Sequence, residues 1–471
     1  MSDNNNLIFY DTETTGIQRD FSQILQCGSV LTDNAFNSLG EQDIGCAPLP
    51  WVIPNPRAML TNKKTNLFNS NVSHYEMILD LQRQWKQWTL DNPGIFISYN
   101  GHSFDEELVR RQFFWNLLEP YTTNTNGNGR LDLMLMMHNV VCFFPEAINI
   151  PLFEDGPKIS LRLEDIARAN NISADSAHDA IADCNLMIDV TKKINAVVPD
   201  VFTSFLNIST KPGVMNLLNT DGFLALGEVF RRQMFKYPVV FCGGDPSRPN
   251  EIVFFDLSFD DPEEILELEL SEIFKLINAG GRDGPLKKYK INKTIPICHS
   301  DLLTDRSVFD VNFDELNRRA QLVKNHKDFQ TKVSQAMSDR MMSFPEPEHI
   351  EQTIYSGGFP SYKDKDLMQE FHITEDAEHR IKIARNFEDE RTRIFAERII
   401  CQMHFEQAPD DFKNRYKELF DERIATKGSW GHVESSVEET SKLLDESDDQ
   451  ETSNILEDTL EHLKKMLTLV D

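Results

Sequence analysis

The sequence predicts an α/β fold over residues 1–198, a mixed α+β part over 199–350, and a helical part over 351–471. Three observations lead there. Strand-like and helix-like periods alternate in the first part. Short β-branched or aromatic runs bounded by Gly, Pro, Asn and Asp mark the second, and amphipathic helical stretches fill the third. A chain of 471 residues exceeds one ordinary core, so two or three domains are expected.

The elements follow in order. "LIFYDTETTG" is a strand, "FSQILQCGSVLTD" a second and "GIFISYN" (94–100) a third, each ending in turn residues. The run "DEELVRRQFFWNLL" has apolar residues at helical spacing behind an acidic first turn. "SLRLEDIARANNI" and "AHDAIADCNLMIDVTKKIN" are two more helices, the second with Ile181, Cys184, Met187 and Ile188 along one stripe. Next come the short runs "YPVVFCGG", "EIVFFDLSF" and "TIPICHS", with helical "FDELNRRAQLVKNHKDFQTKVSQAM". Two prolines make "FPEPEH" (344–349) a linker, because they interrupt both periods. Beyond it "ERTRIFAERIICQMHFEQ" and "DDFKNRYKELFDERIA" read as helices, and the acidic tail ends in one more. No internal repeat is present.

Composition narrows the function. No stretch approaches the roughly 18 apolar residues of a membrane span, and "MSDNNN" lacks the basic-then-apolar order of a signal peptide, so a cytoplasmic location is expected. Seven scattered cysteines without a C-x-x-C pair indicate reduced thiols; Cys184 reads as a small buried one. The net charge of −28 speaks against a nucleic-acid partner taken alone, yet a basic groove can sit on an acidic body. Any such groove is then a narrow channel.

The chemistry is carried by carboxylates where a core wants none. On the first strand Asp11 and Glu13 share a face about 7 Å apart along the backbone, so something must offset their repulsion. Asp105 in "YNGHSFDEEL" stands where a strand gives way to a helix, and His178 and Asp183 in "AHDAIADCN" head another helix. Four carboxylates and a histidine converging there form a hard, oxygen-rich site suited to Mg²⁺ or Mn²⁺. Two divalent ions would relieve the repulsion and serve phosphoryl chemistry, with His178 placed to act as general base at neutral pH. His102 invites confusion with that base; a solvent-facing or backbone-bonded role is expected for it.

D-x-E-T-T-G, N-x-x-x-F-D and H-D-A-x-x-D in this order resemble the DEDDh branch of the DnaQ-like 3′→5′ exonucleases. "SYNGHSFDEELVRRQFFWNLLEPY", "SLRLEDIARANNISADSAHDAIAD", "YKINKTIPICHSDLLTDR" and "QTIYSGGF" extend the resemblance to the bacterial exodeoxyribonuclease I family along almost the full chain. The resemblance implies an RNase H-like exonuclease domain with a mixed sheet (1–198), an SH3-like β-barrel-containing α+β domain (199–350) and an all-helical C-terminal domain (351–471), closing around a channel for the strand. It implies metal binding by Asp11, Glu13, Asp105 and Asp183, two Mg²⁺ ions replaceable by Mn²⁺, and His178 as base. Substrate contacts fall by the same resemblance on Thr12, Glu13, Phe104 and Arg162. Residue-level alternatives are packing for Phe104 and pairing with Glu164 or Asp165 for Arg162. The implied reaction is release of 5′-mononucleotides from the 3′ end of single-stranded DNA, in repair and recombination, by a monomer that also binds the acidic C-terminal tail of single-stranded-DNA-binding protein. One departure stands out: family members often have an aromatic after the glutamate, where this chain has Thr14.

Two segments, "FRRQMFKY" (230–237) and "LKKYKINK" (286–293), interleave basic and aromatic residues as a strand-tracking groove does, and snorkelling lysines on an exposed strand would look the same. The arginines of "RNFEDERTRIFAER" (385–398) are expected to pair along their helix. Trimming of RNA 3′ ends and a non-catalytic adaptor are the competing functions.

Overall fold

The computed structural model describes residues 6–153, 156, 158–174, 179–259, 262–282, 284–341 and 345–468. His178 and its three preceding residues lie outside them. The first sheet contains β1 (Asn6–Thr14), β2 (Ile24–Thr32), β3 (Ser38–Gly45), β4 (Gly94–Ser98) and β5 (Gly129–Asp132) in the order β3-β2-β1-β4-β5. β1, β2 and β3 pair antiparallel, whereas β4 and β5 run parallel to β1. Parallel neighbours need long crossovers, and the helices His74–Trp88 and Asp105–Trp115 supply them. β1 is covered on both faces. Leu7 and Phe9 join a core with Cys184, Met187 and Ile188 of the helix Ala180–Val197. The alternating Ile8 and Tyr10 join a second core with Ile78, Trp85 and Phe113.

The second sheet is antiparallel throughout: β6 (Leu224–Phe230), β7 (Gln233–Gly244), β8 (Glu251–Asp256), β9 (Leu286–Lys290) and β10 (Ile297–His299), ordered β10-β6-β7-β8-β9. Arg231 and Arg232 close the β6–β7 hairpin with φ of 50° and 68°, the left-handed pair that a two-residue turn needs to match strand twist. The core of Leu7 and Phe9 continues into this sheet through the helix Leu133–Phe143, whose Asn139 donates to the carbonyls of Ala225 and Pro296.

Three expectations change in detail. The helical run over 313–337 breaks at His326, whose ring nitrogen accepts from the Phe329 amide and starts a second helix. The acidic tail forms two helices, Val433–Asp445 and Gln450–Thr468. His102 does not face solvent. It is 4% exposed, its Nε2 accepts from the Thr294 amide at 3.1 Å, and Lys293 Nζ donates to its carbonyl. The helical region packs on the first sheet's second core through Phe371, Phe395 and Ile399. Glu351 is buried there and accepts from Arg398 and Arg423, which outweigh burial and hold its carboxyl below the usual range. Of the 385–398 arginines, Arg393 pairs along its helix with Glu390 and Arg391 with the adjacent Asp389, whereas Arg385 pairs with Asp411 and Arg398 with Glu351.

Two buried histidines make the fold acid-sensitive. Burial pushes His74 down to about 4 and His102 down to about 3, so both stay neutral while an unfolded chain takes up protons below about 6.5. For these two groups the unfolded state then binds more protons, and their contribution to stability falls as pH falls, by roughly 1.5 kcal/mol each, or about 3 kcal/mol for both, from pH 6.5 to 5. In guanidinium melts, His74→Gln should lose about 1.5 kcal/mol less than the wild type between these two pH values, the raised Asp11, Glu13 and Asp105 carboxyls acting equally in both. The same pH dependence in the two proteins would refute the linkage.

Candidate active site

β1 ends in the acid cluster. Asp11, Glu13 and Asp183 bring carboxylate oxygens within 4.8 Å of one another, with Glu13 buried and the other two half-buried. Asp183 comes from the first turn of the helix Ala180–Val197, which lies on β1 and β2. That helix approaches closely because Gly28, paired with Asp11 across the strands, has no side chain: a Cβ there would lie 2.5 Å from the backbone carbon of Ala180.

Asp105 stands beside this group and outside its 4.8 Å span. It begins the helix Asp105–Trp115, and its Oδ1 accepts from Thr12 Oγ1 at 2.5 Å. Thr12 alternates with Asp11 and Glu13 on β1, as Tyr10 does, and Tyr10 donates to the adjacent Glu106. Thr12 therefore positions Asp105 in this structure. Phe104 packs against the core of Ile8, Tyr10 and Phe96. Arg162 is exposed at the head of the helix Leu163–Ala169, and Glu164 and Asp165 pair with Arg168 instead.

The electrostatics are those of a site short of positive charge. Burial, then Asp105, Glu13 and Asp183, push Asp11 well above the carboxylate range. Burial and Asp183 push Glu13 up to about 9 against the pull of Lys64, and burial raises Asp105 to about 6 against the Thr12 hydrogen bond. Hard oxygen donors that repel one another fit a divalent Mg²⁺ or Mn²⁺, which would relieve the strain.

Sequence reasoning missed four contributors. Lys64 pairs with Asp179 at 2.7 Å, and Asp179 caps the Asp183 helix by accepting from the Ala182 amide. Gln26, opposite Glu13, donates to Asp43 and Asp179, and Gly28 makes the close approach. Asp179 alone had a local signal, an acidic residue at a helix start; the others act from separate segments.

A cationic rim leads away from Asp105. Arg19 donates to the Ser103 carbonyl and Lys293 to that of His102. Lys293 lines both a cavity of about 570 Å³ with Arg282, Lys288, Tyr289, Lys290 and Arg340, and one of about 760 Å³ with Arg110, Arg130, Lys211 and Tyr355. Of the two basic-aromatic segments, 286–293 lies on this rim. In the other, Phe230 lies under Arg282 and Arg232 stacks on Phe153.

The mixed first sheet with its flanking helices, the antiparallel second sheet and the helical region together match the fold of solved exonuclease I structures. Escherichia coli exonuclease I in complex with a dA16 oligonucleotide superposes with a TM-score of 0.81 at 20% identity, covering 98% of this chain and 100% of that one. The resemblance to bacterial exodeoxyribonuclease I extends along the chain. The protein of that name from Buchnera aphidicola of Acyrthosiphon pisum is 24% identical over 85% of this chain and 93% of its own length. The Baizongia pistaciae counterpart is 30% identical over 57% of this chain, and the match spans 58% of that relative. No protein-family model matches.

Proposed function

We propose that this protein is a metal-dependent 3′→5′ exodeoxyribonuclease that removes 5′-mononucleotides from single-stranded DNA. The observation that carries the reading is the closure of Asp11, Glu13 and Asp183 into one ring of oxygens at the end of β1 in a fold that superposes on exonuclease I. In this reading Asp11, Glu13, Asp105 and Asp183 hold two Mg²⁺ ions, for which Mn²⁺ can substitute. When bound, the ions would supply activation of the attacking water and charge stabilisation of the leaving oxygen. The protein's own part is positional: β1 fixes Asp11 and Glu13, the Asp179 cap and Gly28 fix the depth of Asp183, and Thr12 orients Asp105. His178, in the residue before the Asp179 cap, is assigned as the general base that takes the proton of the attacking water. Arg162, exposed and free to turn, is assigned to a phosphate of the terminal nucleotide, which its planar fork suits.

The cationic rim from Arg19 through Lys293 to Arg340 supports a single-stranded substrate. On a body of net charge −28 these cations gather in one region, where Arg282 and Arg340 are paired with Glu228 and Glu251, and phosphate contacts along it would carry no sequence information. Binding should weaken with salt as counterions are released. The same proposal covers a monomer with domains at 1–198, 199–350 and 351–471 that serves DNA repair and docks the acidic C-terminal tail of single-stranded-DNA-binding protein. The seven unpaired, buried cysteines suit a reducing cytoplasm, and no described helix is long and apolar enough to cross a membrane.

The test is digestion of a 3′-labelled oligonucleotide as single-stranded DNA, duplex DNA and RNA of equal length, with Mg²⁺ or with EDTA. Labelled mononucleotide is expected from single-stranded DNA with Mg²⁺, at least tenfold faster than from RNA. Preferred cleavage of RNA, or binding without turnover in saturating Mg²⁺ and Mn²⁺, would overturn the proposal.

A further inference from the structure

Lys64 has no role in the chemistry described so far, yet among the described residues it is a cation placed against the acid cluster, acting on Glu13. Its side chain is 14% exposed, and Nζ lies 2.7 Å from Asp179 Oδ2. The segment that carries it is anchored at the end of β1: Asn62 Nδ2 donates to the Thr14 carbonyl at 2.8 Å, and the Lys64 amide donates to Asn62 Oδ1 at 3.1 Å. Asp179 in turn caps the helix whose first turn holds Asp183, and its backbone carbonyl accepts from the Asp183 amide. Gln26, paired with Glu13 across the strands, bonds the same Asp179 carboxylate as Lys64. Thus one positive charge is fixed between β1 and the Asp183 helix, on a carboxylate next to the cluster.

We propose that Lys64 is a positioning residue that acts as resident counter-cation of the acid cluster, setting how tightly Asp11, Glu13 and Asp183 take up a divalent ion. This rests on the metal-dependent reading above. Two consequences follow from charge and distance. With Lys64 in place, the carboxylates stay together without an ion, because part of their repulsion is already offset. That same charge opposes an incoming divalent cation, so metal binding is weaker than the bare carboxylates would allow, and exchange of the ion is correspondingly easier. The pull of Lys64 on Glu13 has the direction this requires.

The sign of the effect separates this role from a merely structural tether. A tether lost would loosen the Asp183 helix and weaken metal binding; a counter-cation lost would strengthen it. The experiment is titration of the full chain with Mn²⁺ alone, followed by calorimetry and by loss of the free-ion electron paramagnetic resonance signal, for the wild type, Lys64→Met, Lys64→Arg and Asp179→Asn. Lys64→Met should bind Mn²⁺ several-fold to about tenfold more tightly, with the difference shrinking as salt is raised. Lys64→Arg should restore the wild-type isotherm. Asp179→Asn keeps a capping side chain and leaves Lys64 unpaired, so it should bind Mn²⁺ more weakly. Unchanged or weaker binding by Lys64→Met would overturn the assignment while leaving the metal-dependent reading intact. No Mn²⁺ uptake by the wild type would overturn both. Should Lys64→Met fail to give a cooperative melt, the opposite shift expected of Asp179→Asn decides alone, and unchanged or tighter binding there overturns the proposal.

Discussion

Gly28→Ala is expected to reduce turnover on the order of a hundredfold, although residue 28 carries no chemistry. The Cβ would meet the Ala180 carbon at 2.5 Å, the Ile181 nitrogen at 2.6 Å and the Ala180 oxygen at 2.7 Å. All three are backbone atoms at the start of the helix Ala180–Val197, so no side-chain rotation relieves the clash. The helix must lift by about 1 Å, or β2 must sink into a strand layer buried at every residue. Lifting the helix carries Asp183 away from Asp11, and a misplacement of about 1 Å costs roughly a hundredfold in rate. It also strains the contact of Cys184 Sγ with the Gly28 carbonyl at 3.4 Å, and overpacking of this kind lowers stability by about 1–3 kcal/mol. Steady-state turnover and a thermal melt on the same preparation check both. Wild-type turnover in Gly28→Ala would show that the depth of this helix does not control the site.

Asp183→Asn should have the larger effect on activity and the opposite one on stability. The amide keeps the shape of the carboxylate and removes one charge from the ring of Asp11, Glu13 and Asp183. Hydrolysis should fall on the order of a thousandfold or more, the scale seen when a charge-stabilising group is lost from a reacting centre. Asp183 is the strongest electrostatic influence raising Glu13 after burial itself, so its neutralisation relieves repulsion in the metal-free protein. The melting temperature without metal should therefore rise, while the gain in melting temperature on adding Mn²⁺ shrinks. A site that sacrifices stability for function behaves this way. Loss of activity with a lowered metal-free melting temperature would mean that Asp183 serves folding instead.

What could be read in the chain and what could not divide along physical lines. Asp11 and Glu13 were legible because strand periodicity is local: two carboxylates two residues apart must share a face. Asp183 was legible from its place at the head of a helix and from the H-D-A-x-x-D pattern that it closes. β3 was missed since "SLGEQDIG" is polar and half-exposed and gives no apolar run, and β5 since it has only four residues. Asp105 lies outside the ring of Asp11, Glu13 and Asp183 but is the largest charge acting on Asp11. Its neighbour across the fold, Thr12, takes one of its oxygens, and no sequence period reports which side chain a helix N-terminus will meet. Of the two roles expected of His102, the backbone-bonded one holds and the solvent-facing one does not. Its burial depends on Thr294, 192 positions later. Lys64 and Gly28 act by the same kind of long-range approach.

The interior placement of all seven thiols has a practical consequence. Burial raises the Cys27, Cys46, Cys142, Cys184, Cys242, Cys298 and Cys401 thiols, so little of the reactive thiolate exists near neutral pH and none of it faces water. The native chain is thus a silent background for maleimide dyes. A cysteine introduced at exposed Phe359 or Ile17 would take a fluorophore without first stripping out the natural ones, so that the proposed binding of a labelled oligonucleotide could be followed by energy transfer.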